Sequence, residues 1–192
     1  VMAALGKALA GVGVISAETA KTAAVSCLDL VALGTVADLV PLDHNNRVLV
    51  SQGLARIRGG LSRPGIYALF DSANRNAKAA VASDIGFGIA PRLNAAGRLD
   101  DMSLGIDCLL APDAASAREM AVRLDELNKE RRGLQDQMQE DAVQLLDKLD
   151  AKLGTGAHWG YCLFDEQWHQ GIVGLVATKI RDRVKRPSIA FA

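Results

Sequence analysis

Cysteine, histidine and aromatic residues are scarce in this chain: three cysteines, three histidines and 4% Phe, Trp and Tyr among 192 residues. Cys27, Cys108 and Cys162 lie far apart and form no C-x-x-C pair, which argues for a reducing compartment and against disulfides or a zinc ribbon. His44, His158 and His169 have no neighbour at ligand spacing, so a histidine-based metal site cannot be completed from this chain alone. With few rings available, the core must come from Ala, Leu, Val and Ile, a palette that favours helices. No uninterrupted apolar run approaches the roughly 20 residues of a membrane span. The net charge is zero, which excludes a uniformly basic nucleic-acid binder.

What is present is a globular composition, 49% hydrophobic and 23% charged. Its charge is unevenly spread. Residues 44–100 carry 8 basic and 3 acidic groups, residues 101–150 carry 6 and 12, and residues 151–192 carry 6 and 3. Two basic regions flank an acidic middle, as expected of a solvated spacer between parts that face an anion, with chance clustering of charge as the alternative. The first ten residues lack a basic leader and read as the middle of a helix, so the chain is expected to begin inside a longer protein.

Periodicity and punctuation predict mostly helices. Residues 1–37 read as helical, with a turn at Gly11-Val12-Gly13 and a helix start near Ser16 to Glu18. Asp43 caps a helix that ends at Gly59-Gly60, and Pro64 opens another through Ala73. Residues 102–110 form one more, stopped by Pro112. From Asp113 to about Leu153 one amphipathic stripe predicts a helix of about 40 residues, roughly 60 Å long. Two stacked helices with a kink near Gly133 are the alternative. Gly154-Thr155-Gly156 ends this connector. Tyr161–Phe164 and Ser188–Phe191 read as strands, with a loop and helix between them from Trp168 to Val184. So small a strand–helix–strand unit cannot bury both faces of its sheet.

Three blocks carry chemistry. Asp38 is the only ionisable side chain in the run Ala32–Leu42. A buried carboxylate must be hydrogen-bonded, paired or metal-bound. Satisfaction by backbone N–H groups at a helix end is the alternative. Asp29, at the edge of this run, is expected on the surface. In the second block, Arg92, Asn94 and Arg98 stand among small residues, a composition suited to gripping phosphate. If the stretch is helical, Asn94 and Arg98 share a face. An Arg–Asp network with Asp100 and Asp101 competes with this reading. The third block, Trp168-His169-Gln170-Gly171-Ile172-Val173-Gly174, lies between a strand and a helix, where backbone N–H groups attract anions. His169 is either a donor, acid or base there, or merely hydrogen-bonded.

Taken together, Gly34-Thr35-Val36-Ala37-Asp38 with Pro41-Leu42, Pro91-Arg92-Leu93-Asn94-Ala95-Ala96-Gly97-Arg98-Leu99 and the third block resemble the RecJ exonucleases of the DHH phosphoesterase superfamily. The resemblance implies an α/β fold in three parts. Residues 1–111 would be the C-terminal part of a mostly helical DHH lobe. Residues 112–153 would be the long connector, and residues 154–192 the beginning of a small DHH-associated nucleic-acid-binding lobe. It implies a metal-dependent exonuclease that degrades single-stranded DNA from the 5′ end to 5′-mononucleotides, in recombination and repair in the cytoplasm. Two Mn²⁺ or Mg²⁺ ions would serve it, with Asp38 as catalytic metal ligand. Arg92, Asn94, Arg98, His169 and Gly171 would lie at substrate phosphates. Single-strand-binding protein and a RecQ-type helicase are the implied partners. The Asp-His-His signature is absent from the 192 residues, so this stretch by itself is expected to be inactive. A DHH phosphodiesterase for short oligonucleotides or cyclic dinucleotides, or a non-catalytic DHH-derived scaffold, are the competing readings.

Overall fold

The computed structural model describes residues 2–153 and 159–192. The sequence-predicted stop at Gly154-Thr155-Gly156 lies outside them, as does His158. The described residues form two compact units, one of residues 1–93 and 102–125, the other of residues 94–101 and 126–192.

In the first unit, α1 (Met2–Gly11) leads to α2 (Ala17–Ser26), whose N-cap Ser16 accepts the Thr19 N–H at 3.0 Å. The chain breaks at Cys27 before α3 (Leu28–Ala37). Asp43 caps α4 (His44–Arg58) by accepting the Asn46 N–H at 2.8 Å. Pro64 opens α5 (Pro64–Ser72). Helices α3 and α4 pack tightly because Gly53 carries no side chain, a Cβ there colliding with the Leu28 carbonyl. The short α6 (Ala82–Asp84) runs into a π-helical turn, Ile85–Ile89, and then α7 (Ala90–Leu99). Helix α8 spans Ser103–Leu110. Ile57, Ile66, Leu69, Phe70, Ile85, Ile89 and Leu124 are sealed from solvent and make the core.

The connector is one continuous helix, α9 (Ala114–Leu153), rather than two helices kinked near Gly133. Asp113 starts it, accepting the N–H groups of Ala115 and Ser116 at 2.8 and 2.9 Å. In the second unit Met138, Ala142 and Leu146 of α9 pack with Leu163, Trp168, Ile172, Val176 and Ile180. The last four follow β1 (Tyr161–Phe164) in the turn and along α10 (Val173–Val184), which leads to β2 (Ser188–Phe191). The strands are parallel, Tyr161 opposite Ser188 and Phe164 opposite Phe191. Leu163 faces the core, whereas Phe164, Ile189 and Phe191 on the other face remain exposed.

Residues Ala17–Ala37 are long and on average apolar enough to cross a membrane, although Glu18, Lys21 and Asp29 interrupt the apolar run. The chain nevertheless divides them at Cys27, and they contain the buried acid Asp29. Asp29 was expected on the surface and is 1% exposed. It can be buried because it is fully satisfied. Arg63 pairs with it, the Ser62 hydroxyl donates at 2.9 Å, and the backbone N–H groups of Leu30 and Arg63 donate at 2.8 and 3.3 Å.

Candidate nucleic-acid site

The candidate residues divide between the two units. Asp38 and Arg92 belong to the first; Asn94, Arg98, His169 and Gly171 belong to the second.

Asp38 follows the last residue of α3, and its carboxylate makes no hydrogen bond or ion pair among the described residues. The sequence reading buried it; the structure exposes it. The apolar neighbours that were to bury it face outward themselves. Leu39 turns the chain with φ +52° and is 87% exposed, and Val40 and Leu42 are also exposed. An apolar run along the chain is not an apolar environment in space. The burial argument for a metal ligand therefore falls, and what remains for Asp38 is its match to the sequence block.

Arg92 is committed inside its unit. Its guanidinium donates to the Gly88 carbonyl at 2.6 Å and the Ser72 carbonyl at 3.1 Å, and it pairs with Asp125 at 2.7 Å. The carboxylate that meets it comes from α9, not from Asp100 or Asp101. The Ser72 carbonyl is available because Ser72 closes α5, where the last carbonyls have no partner within the helix.

In the second unit two of the sequence blocks meet. Helix α7 is helical throughout, and Asn94 and Arg98, four residues apart, are both exposed on it. Arg98 donates to the Gly171 carbonyl at 3.1 Å. Gly171 presses so closely on the Arg98 backbone that a Cβ would collide with the Arg98 carbonyl oxygen. The Gly171 N–H in turn donates to Nδ1 of His169 at 3.1 Å. That bond requires a bare Nδ1, which leaves the proton of a neutral His169 on Nε2 as a donor. The glycine is thus explained by close approach, and the histidine is held in one tautomer.

Sequence reasoning missed Arg131 on α9. It donates to Gln135 at 2.7 Å and to Asn128 at 3.3 Å, and Asn128 is only 2% exposed. Burial, then repulsion from Arg132 and Arg98, holds the Arg131 guanidinium below its usual range, with Asp136 acting the other way. A polar, 3–4-spaced set (Asn128, Arg131, Gln135) within an otherwise apolar stripe was the available signal.

Among the described residues no three His, Cys, Asp or Glu side chains gather as metal ligands do. A lone exposed carboxylate does not satisfy a hard divalent cation that takes about six oxygens. The described residues therefore do not themselves constitute a metal centre.

No family model matches the chain. It is, however, 55% identical over 165 residues to the single-stranded-DNA-specific exonuclease RecJ of Dickeya dadantii and 53% identical to that of Escherichia coli. Each alignment covers 86% of this chain and 28% of the relative. The fold agrees. RecJ from Thermus thermophilus in complex with Mg²⁺ superposes with a TM-score of 0.75 at 32% identity, over 88% of this chain and 26% of that one. Exonuclease RecJ bound to manganese gives 0.74 at 34%, over 88% and 41%. By sequence and by fold the chain resembles a segment of RecJ, as the three blocks implied. It spans about three tenths of the length of the curated relatives it matches.

Proposed function

We propose that this chain works as part of a metal-dependent exonuclease that degrades single-stranded DNA in the 5′→3′ direction to 5′-mononucleotides. The observation that carries the reading is the 55% identity to a RecJ exonuclease across 86% of the chain, with all three motif blocks in order. In this reading residues 1–111 belong to the DHH lobe, residues 112–153 connect, and residues 154–192 open the nucleic-acid-binding lobe. Mn²⁺ or Mg²⁺ is the cofactor of the whole protein, consistent with the ions in the similar structures. Asp38 would supply one ligand from its exposed position, and other ligands must come from outside the described residues.

The roles proposed for the arginines differ. Asn94 and Arg98 present an exposed polar face to the strand, while Arg92 shapes the helix that carries them. His169 offers its Nε2–H to a phosphate oxygen. The place of action is recombination and repair in the cytoplasm, with single-strand-binding protein and a RecQ-type helicase as partners.

The test is nucleotide release by the whole protein from 5′-labelled single strands and from blunt duplex, with Mn²⁺, with Mg²⁺ and with chelator. Metal-dependent release of 5′-mononucleotides from single strands alone, lost in Asp38→Ala, supports the reading. Release that stops at short oligomers, or retained activity in Asp38→Ala, overturns it.

A further inference from the structure

Two cavities of the first unit share a wall. Tyr67 and Asp71, four residues apart on one face of α5, border both. The smaller, about 280 Å³, is closed mainly by apolar groups such as Ala68, with Arg118 of α9 at its side. The larger, about 410 Å³, is lined by Arg58, Arg75 and Lys78. Cavities that take small molecules run to roughly 300–1,000 Å³. None of Asp38, Arg92, Asn94, Arg98, His169 or Gly171 lines either one.

The shared wall is fixed. The Tyr67 hydroxyl donates to the Ile57 carbonyl at 3.1 Å and accepts the Ser62 N–H at 3.0 Å. Arg58 is aimed by the Ala80 carbonyl, to which it donates at 2.9 Å. Asp84, outside the cavity, approaches Arg75 at 3.7 Å. Among the described residues Arg58, Lys78 and Arg118 have no carboxylate within ion-pair distance. Asp71 borders the same cavity as three cations and pairs with none of them. A carboxylate and cations that share a cavity without touching suit a ligand with a hydroxyl for the one and a phosphate for the others. The apolar cavity beyond the wall has room for a ring, and Arg118 offers donors to ring carbonyls.

We propose that the two cavities together bind a free nucleoside monophosphate. Its phosphate lies at Arg58 and Lys78, a sugar hydroxyl donates to Asp71, and the base sits beyond Tyr67 beside Ala68 and Arg118. The three cations surround one cavity, which suits a single phosphomonoester of charge about −2 rather than a series of diesters. The site rests on its own walls and not on the function proposed above.

Calorimetric titration of the full chain tests it, with thymidine 5′-monophosphate, thymidine, 2-deoxyribose 5-phosphate, inorganic phosphate and 5′-phosphorylated oligothymidylate as probes. Thymidine monophosphate should bind more tightly than its three fragments. Lys78→Gln should weaken it about tenfold, the loss of one charged hydrogen bond, and leave oligothymidylate as it was. Lys78→Arg, which keeps the charge, should restore most of the affinity. Arg118→Gln should weaken thymidine monophosphate and not deoxyribose phosphate. Asp71→Ala should weaken thymidine monophosphate relative to inorganic phosphate, because it removes the acceptor for the sugar and a repulsive charge together. The exposed Arg47 lines neither cavity, and Arg47→Gln should change nothing.

Lys78 is exposed and its ammonium holds no partner among the described residues, so its substitution spares the fold, which thermal unfolding checks. No binding of thymidine monophosphate at millimolar concentration, binding no tighter than that of thymidine, or unchanged affinity in Lys78→Gln overturns the site. Affinity no better than that of deoxyribose phosphate overturns the nucleotide in favour of a sugar phosphate. An equal loss of oligothymidylate binding in Lys78→Gln overturns the free nucleotide in favour of a strand.

Discussion

Arg98 and Gly171, 73 positions apart, hold one another twice: the guanidinium donates to the Gly171 carbonyl at 3.1 Å, and the glycine's bare Cα lies against the Arg98 backbone. The end of α7 and the turn before α10 are fixed together by this pair, and the Gly171 N–H sets the tautomer of His169.

Gly171→Ala is therefore expected to disturb both the turn and the histidine. The added methyl must push the turn from the Arg98 carbonyl, an overpacking that costs about 1–3 kcal/mol. Denaturant unfolding of the chain gives the cost. The ¹⁵N spectrum of the imidazoles, with only three histidines to assign, should show His169 leaving the Nε2–H form. An unchanged midpoint and an unchanged His169 signal would contradict the contact.

Arg63→Ala should be among the most destabilising surface-near changes. It removes the cation from Asp29, which is 1% exposed, and leaves a buried carboxylate uncompensated. Loss of one partner of a buried pair costs about 3–5 kcal/mol. Asp29→Asn in the same background should recover part of it, because the uncompensated charge goes with the carboxylate. Urea titration of both variants checks the order.

For Arg92 the expected outcome separates structure from binding. Arg92 and Asp125 are 12% and 16% exposed and 2.7 Å apart, so their substitutions should be non-additive by about 0.5–3 kcal/mol in a double-mutant cycle. A cycle that closes with zero coupling would return Arg92 to the substrate.

Cys108 gives a pH prediction. Burial pushes its thiol from 9.0 up to about 11. The folded state thus keeps a proton that the unfolded chain releases above pH 9. The contribution to stability is complete below pH 9 and is lost as the pH rises from 9 towards 11. Cys108→Ala should flatten that alkaline decline. At about pH 8, just under the ordinary thiol range, a thiol reagent should modify the exposed Cys162 and spare Cys108.

Asp113 behaves in the opposite sense. Hydrogen bonds from Ser116, through its N–H and hydroxyl, and from the Ala115 N–H hold its carboxyl below the ordinary carboxylate range. Its support for the start of α9 is present at neutral pH and lost on acidification below that range. Amide exchange at Ala115 and Ser116 should accelerate in acid relative to the middle of the helix, and Asp113→Asn should remove the pH dependence.

The sequence by itself determined what is local. Caps, prolines and the glycine pair set most helix ends, because each acts through its own neighbours: Ser16, Asp43, Pro64 and Gly59 stand where the structure uses them. One stripe of leucines and methionines sufficed for the 40-residue helix, since periodicity is a property of the chain. Motif order alone carried the resemblance to RecJ. Tertiary structure decided which charges find a partner. Asp29, read as surface, is buried because Arg63 and Ser62, more than thirty residues later, supply most of its donors. Asp38, read as buried, is exposed because its apolar neighbours turn outward. Arg92 was taken by Asp125, while Arg98 and Arg131 donate to the neutral oxygens of Gly171, Gln135 and Asn128. Burial and pairing depend on what the fold brings from far along the chain, and no local pattern records that.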